Sequence, residues 1–157
     1  MLFLLSLCLI CFILSRKNVE IVASEVTIPL FDKDDNTPYQ IRKDAESFLR
    51  MKLKNYKEYL ELEEYKNVIG LLEKGIAIHH AGMMPILREI VELAFEKGYI
   101  KLLFATETFA VGINMPTKTV IFTSLLKFTG ETKRFFHSHE YTQMAGRAGR
   151  RGLDKVG

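Results

Sequence analysis

Short apolar runs of strand length alternate along this chain with amphipathic stretches of helix length, and that alternation restricts the fold more than any other feature. Ile76 to His79, Ile100 to Ala105 and Thr119 to Thr123 are dominated by aliphatic, β-branched and aromatic residues. Such runs suit strands of a parallel sheet covered on both faces. Between the first two, Pro85 opens a stretch whose Leu87, Ile90, Val91 and Ala94 share one helical face, and Gly98 closes it. Upstream, Asp32 to Asn36 is a polar loop and Thr37-Pro38 starts a longer helical stretch with Ile41, Ala45, Phe48 and Leu49 as its stripe. That pattern runs, with a break near Leu60 to Glu64, until Gly75. Its acids and bases are interspersed, so residues 32–74 read as a solvated helical insertion or cover rather than a nucleic-acid arm. The expected fold class is α/β, a three-layer α/β/α arrangement with a mostly parallel sheet.

The chain opens on an uncharged apolar run, Leu2 to Leu14, with Arg16 and Lys17 after it. A secretory leader places its charge before the apolar region, and a bilayer span needs about 20 residues, so 1–14 reads as a buried strand, with a leader or short anchor as the alternative. Cys8 and Cys11 lie an odd number of residues apart in this run and would face opposite sides of a strand. Two buried thiols fit a reducing, intracellular compartment, nuclear or cytoplasmic, with no membrane partner. After the run, Ser15 is placed to cap a helix reaching about Ser24, and Glu25 to Phe31 returns to extended chain. The 157 residues, 48% of them hydrophobic, fit a single domain with a real core. A net charge of +3 permits nucleic-acid binding without requiring it, so the case rests on where the charges sit.

In such sheets the working residues gather in loops beyond the carboxyl ends of the strands. Ser15-Arg16, His80-Ala81-Gly82 and Thr106 each follow an expected strand, and would share one edge. Backbone N–H groups and hydroxyls there could hold the phosphates of a nucleic acid without reading its bases. His79-His80 and His137-x-His139 lack the cysteine or carboxylate partners of a zinc site, so no metal is assigned to them.

The run Gln143-Met144-Ala145-Gly146-Arg147-Ala148-Gly149-Arg150 is the sharpest local signal. Were it helical, Gln143, Arg147 and Arg150 would stand at i, i+4 and i+7 on one face. Glycine costs a helix about 1 kcal/mol relative to alanine, so Gly146 and Gly149 beside two arginines point to a backbone lying close to something. Guanidinium forks suit phosphate oxygens.

The string Tyr141 to Asp154 containing this run, together with His79-His80-Ala81-Gly82-Met83, Phe104 to Pro116 and Phe12-Ile13-Leu14-Ser15-Arg16-Lys17, resembles the superfamily 2 DExH RNA helicases of the superkiller type. The motifs stand in the family's order. The resemblance implies the second, RecA-like lobe of a P-loop NTPase-type helicase, incomplete at its C-terminal end. It implies Arg147 and Arg150 as γ-phosphate arginines, Arg150 the finger, with Gln143 orienting nucleotide or attacking water, and Gly112, Asn114 and Gly146 facing the nucleotide. It further implies Ser15, Arg16, His80, Gly82 and Thr106 on the strand of RNA, and ATP with Mg2+ as cofactor, the metal held mainly by the first lobe. The partners implied are RNA, the first RecA-like lobe and an exosome-type RNA-degradation complex. Glu107 is assigned no catalytic role.

The chain contains no Gly-x-x-x-x-Gly-Lys-Ser/Thr and no Asp-Glu-x-His. The phosphate cradle and magnesium carboxylates are thus missing, and the 157 residues are half an active site, inactive alone. The competing class is a truncated, non-catalytic RNA- or partner-binding module. A DNA helicase lobe of the same superfamily is the further alternative, since neither a strand-opening hairpin nor accessory domains are expected here.

Overall fold

The computed structural model describes residues 8–110 and 117–149. Four strands, β1 (Leu9–Phe12), β2 (Ile76–His79), β3 (Leu102–Ala105) and β4 (Thr119–Phe122), form one sheet in the order β2-β3-β1-β4. Every neighbouring pair is parallel, with Leu9 opposite Leu102 on one side and Thr119 on the other, and Ile76 opposite Leu102. All carboxyl ends therefore lie along one edge.

Strand periodicity of two divides the core into two faces. Ile10, Phe12, Ala77, Leu103 and Ala105 face one side with the buried residues of α2 (Thr37–Lys52), α4 (Glu63–Leu72) and α5 (Pro85–Glu96). Cys11, Ile76, Ile78 and Phe104 face the other side with Val19 and Ala23 of α1 (Arg16–Glu25). The fold is α/β with a mostly parallel sheet between helical layers, as the alternation predicts. Cys8 packs on the first cluster and Cys11 belongs to the second, so the two thiols do face opposite sides. Burial pushes the Cys8 thiol up to about 12, despite the lowering influence of Lys101.

Cap chemistry sets the helix starts. Ser15 Oγ accepts from the Asn18 N–H at 3.3 Å and so satisfies one orphan donor of α1. Proline stands in the first turn of α2 and of α5, where no intrahelical donor is lost. The long helical stretch is broken twice, after Lys52 and again at Leu62, leaving the short α3 (Tyr56–Glu61) between α2 and α4. The second break falls where the sequence predicts one, whereas the first was not foreseen. There Leu53 turns to extended backbone, and its N–H closes α2 on Leu49 O at 2.8 Å.

Two further elements depart from expectation. Thr119 to Thr123 was expected to be a buried strand, yet β4 sits at the sheet edge and Ile121 is 43% exposed. Phe122 makes its core contact by stacking on Phe12 at 5.7 Å and on Tyr141 at 5.3 Å. An antiparallel hairpin, β5 (Leu126–Phe128) and β6 (Lys133–Phe135), then precedes α6 (Ser138–Ala145), so Lys133 to Phe135 is a strand rather than the plain surface loop expected at Lys133 to Phe136. Among the described residues no helix is long and apolar enough to cross a membrane.

Candidate functional site

Since β2, β3 and β1 are adjacent and parallel, the residues just beyond them are brought together: His80 after β2, Thr106 after β3, and Ser15-Arg16 after β1. Arg16 is exposed at the first turn of α1. Its Cδ lies 3.3 Å from the point a Gly82 side chain would begin, and His80 Nδ1 lies 3.1 Å from that point. A side chain at 82 would sit tightly against both neighbours, which would have to give by a few tenths of an ångström. The Gly82 N–H donates to His80 Nδ1 at 3.1 Å, which fixes the imidazole with its proton on Nε2, within ion-pairing distance (3.1 Å) of Glu20 Oε1.

Two of the expected edge residues are buried here. His80 was expected on the phosphate-holding edge, but it is only 2% exposed, and it works from inside by holding the Gly82 loop against α1. The Gly82 N–H is thereby already engaged. Thr106 is 5% exposed; its N–H donates to His79 O at 3.1 Å, and its hydroxyl lies 3.0 Å from that of Thr108. The outward-facing members of the cluster are Arg16, Gly82 and the half-buried Ser15, whose hydroxyl serves as the helix cap.

His79 is buried beneath this edge, with Nε2 3.0 Å from Glu92 Oε1 and its ring edge-on to Phe109 at 4.9 Å. Burial holds both histidines below the ordinary value of 6.5, and the carboxylates of Glu92 and Glu20 oppose that shift without reversing it. The folded chain therefore binds these protons more weakly than the unfolded chain. Stability is full above that value and falls as the unfolded state takes up protons below it. The melting temperature is expected to drop between about pH 7 and about pH 5, a window above that of the carboxylates, and a His79→Leu/His80→Asn double variant should flatten the slope. An equal slope in parent and double variant would contradict this assignment.

The arginine segment is not one helix. α6 ends at Ala145, and Gly146 closes it with φ −66° and its N–H on Thr142 O at 2.8 Å. A Cβ at 146 would stand 2.7 Å from that same carbonyl, and Gly149 adopts φ +84°, in the left-handed region. The two glycines are thus required by the chain's own path, a nearer cause than close approach to a ligand. Gln143 stays exposed on α6, whereas Arg147 lies beyond it, so the two do not share a helical face. Arg147 Nη2 donates to Ala110 O, at the end of the 3-10 turn Glu107–Ala110. The Arg147 carbonyl accepts from the Thr117 N–H at 2.8 Å, and the Gly149 N–H donates to Thr117 O at 2.8 Å. Burial lowers the Arg147 pKa from its ordinary value. Gly112, Asn114 and Arg150 lie outside the described residues.

Sequence reasoning missed the polar joint beside this segment. Lys127 Nζ lies 3.1 Å from Glu107 Oε1 and 3.3 Å from Glu140 Oε1, while Arg134 grips Glu140 with two bonds of 2.7 and 3.0 Å. The exposed Phe128 and Phe135, at 61% and 71%, lie on the opposite side of the hairpin. Gly130, which adopts φ +103° at the turn, was the one sequence signal for it.

The sequence matches the helicase conserved C-terminal domain over residues 44–152, more than half of the chain. The chain belongs to the helicase C-terminal domain family. This helicase domain is 43% identical over 153 residues to the DExH-box ATP-dependent RNA helicase DExH9 of Arabidopsis thaliana, covering 94% of the chain and 15% of that relative. It is 45% identical over 148 residues to the exosome RNA helicase MTR4 of Homo sapiens, covering 94% of the chain and 14% of the relative. The antiviral helicase SKI2 of Saccharomyces cerevisiae is 55% identical over 101 residues, 64% of the chain and 8% of the relative. The helicase domain described here thus spans about a seventh or less of the length of these relatives.

Proposed function

We propose that the chain acts as the second RecA-like lobe of an ATP-dependent RNA helicase, presenting arginines to ATP and one side of a track to single-stranded RNA. The observation that carries this reading is that both halves of the function fasten on one short turn. Thr106, at the strand-end edge, leads directly into Glu107–Ala110, and Arg147 donates to the last carbonyl of that turn. Names of relatives with 43–55% identity agree, since they are ATP-dependent and exosome RNA helicases.

In this reading Arg16 and the Gly82 loop take the RNA phosphates, with Ser15, His80 and Thr106 holding the edge in shape. Gln143, Arg147 and Arg150 face the ATP phosphates, with Gly112, Asn114 and Gly146 beside the nucleotide. The donor set fits ATP: Gln143 offers an exposed amide and Arg147 a permanent cation. The Mg2+ that accompanies ATP is held, in this reading, mainly by the first lobe. Bound ATP supplies the phosphoryl group whose transfer to water drives opening and closing of the two lobes. The partners are RNA, the first lobe and an exosome-type complex, in an intracellular compartment.

The test is reconstitution with a separately expressed first RecA-like lobe of a DExH RNA helicase. RNA-stimulated ATP hydrolysis that neither lobe gives alone is expected. RNA binding by this chain with no turnover in the mixture would favour the non-catalytic module, and equal stimulation by single-stranded DNA would favour the DNA helicase reading.

A further inference from the structure

α6 is fastened at both ends to the turn that follows Thr106. At its N-terminal end Glu140 holds Lys127, which in turn holds Glu107, the first residue of that turn. At the C-terminal end Arg147 donates to Ala110 O, at the close of the same turn. Between the two fastenings Met144 of α6 and Phe109 of the turn are both buried in the main core cluster. The turn and α6 thus share two polar fastenings and a buried contact region.

The joint is held from several sides. Glu140 accepts both nitrogens of the Arg134 fork and, at 2.8 Å, the backbone N–H of His137 at the start of α6. The Arg134 hydrogen bond, before the others, keeps the Glu140 carboxyl far below the usual carboxylate range. Partial burial works against the charge on Lys127, yet its bonds to Glu107 and Glu140 hold its pKa above the ordinary lysine value. With carboxylates on two sides, Lys127 is the bridge: its removal leaves Glu107 and Glu140 as like charges facing one gap.

We propose that Lys127 is a positioning residue that couples nucleic-acid contact at the strand-end edge, passed on through the Thr106 turn, to the placement of Gln143 and Arg147. The proposal rests on the helicase reading and gives Glu107 a role in the relay rather than in the chemistry. RNA phosphates on Arg16 and the Gly82 loop act through His80, which holds that loop, and through His79, whose carbonyl holds the Thr106 N–H; Glu107 holds Lys127, Lys127 holds Glu140, and α6 brings its far end into register. Lys127 touches neither RNA nor ATP.

The experiment compares the parent chain with Lys127→Met and Lys127→Arg, each mixed with the first lobe and titrated with oligouridylate. In Lys127→Met the RNA-stimulated kcat is expected to fall about two- to thirtyfold, the range of mutations along a coupling path, while the RNA concentration for half-stimulation stays within about twofold. Lys127→Arg, which keeps the cation and both carboxylate partners, should restore most of the loss. Amide exchange is the second readout: oligouridylate should slow exchange across Glu140 to Met144 in the parent chain and not in Lys127→Met. An unchanged kcat, a matched change in kcat and half-stimulation, or equal protection in both chains overturns the relay and leaves the helicase reading intact. A parent mixture without RNA-stimulated turnover overturns that reading and the relay with it.

Discussion

Arg150→Ala is expected to reduce RNA-stimulated ATP turnover of the two-lobe mixture by about 10³-fold or more, the scale of an arginine placed on a transferring γ-phosphoryl group. RNA affinity should change by less than about threefold, because the loss is of transition-state stabilisation and not of ground-state binding. Arg147→Ala should differ in kind. The Arg147 guanidinium donates to Ala110 O, and Ala110 is buried, so truncation also leaves a buried carbonyl short of a donor. That costs about 1–3 kcal/mol and lowers the melting temperature along with turnover. Steady-state ATPase assays and thermal melts of both variants separate the two roles. Turnover retained in Arg150→Ala would remove it as the finger.

The second large effect concerns stability. Phe109 is 1% exposed, with ring centroids 4.9 Å from His79 and 5.8 Å from Phe95, so it pins the turn carrying Glu107 and Ala110 to the main core. Phe109→Ala removes a whole ring from a close-packed site and is expected to cost about 3–5 kcal/mol. Against a total of about 5–15 kcal/mol for an ordinary domain, that leaves a chain near its unfolding threshold. Phe109→Leu refills most of the volume and should recover all but about 1–2 kcal/mol. Urea titrations of the three proteins decide the matter; a Phe109→Ala cost near zero would mean the ring does not anchor the turn.

Where a single residue type dictates local geometry, the fold was legible in advance. Ser15, Pro38 and Pro85 mark helix starts through backbone donors that need a cap or can be dispensed with, and Gly98 marks a helix end with φ +75°. The strand-end edge was legible too, because parallel strands must share a carboxyl side. What escaped depends on partners far apart in sequence. His80 is explained by Glu20, sixty residues earlier on α1, and Glu107 by Lys127 and Glu140. The hairpin strands are three residues each and mostly exposed, so they carry no hydrophobic period strong enough to read. The arginine motif pointed to the family, while its path was not legible from spacing. A spacing of three and four residues fits a helix, but the positive φ of Gly149 ends any helix there, and spacing carries no information about dihedral angles.

The placing of β1 in the middle of the sheet has a consequence for how the chain is made. Leu9 to Phe12 pairs with Leu102 to Ala105 and with Thr119 to Phe122, and among the described residues with no strand nearer in sequence. Synthesis proceeds at about 5–20 residues per second, so β1 waits roughly 5–20 s after it is translated before its first neighbour exists. During that interval Ile10, Cys11 and Phe12, each buried in the finished protein, have no sheet to enter. Early helices can form in the meantime from local contacts, but the sheet closes only when distant segments arrive, which makes it the slow step of folding. Of the four strands in this sheet, the one made first is thus housed only when the third and fourth arrive.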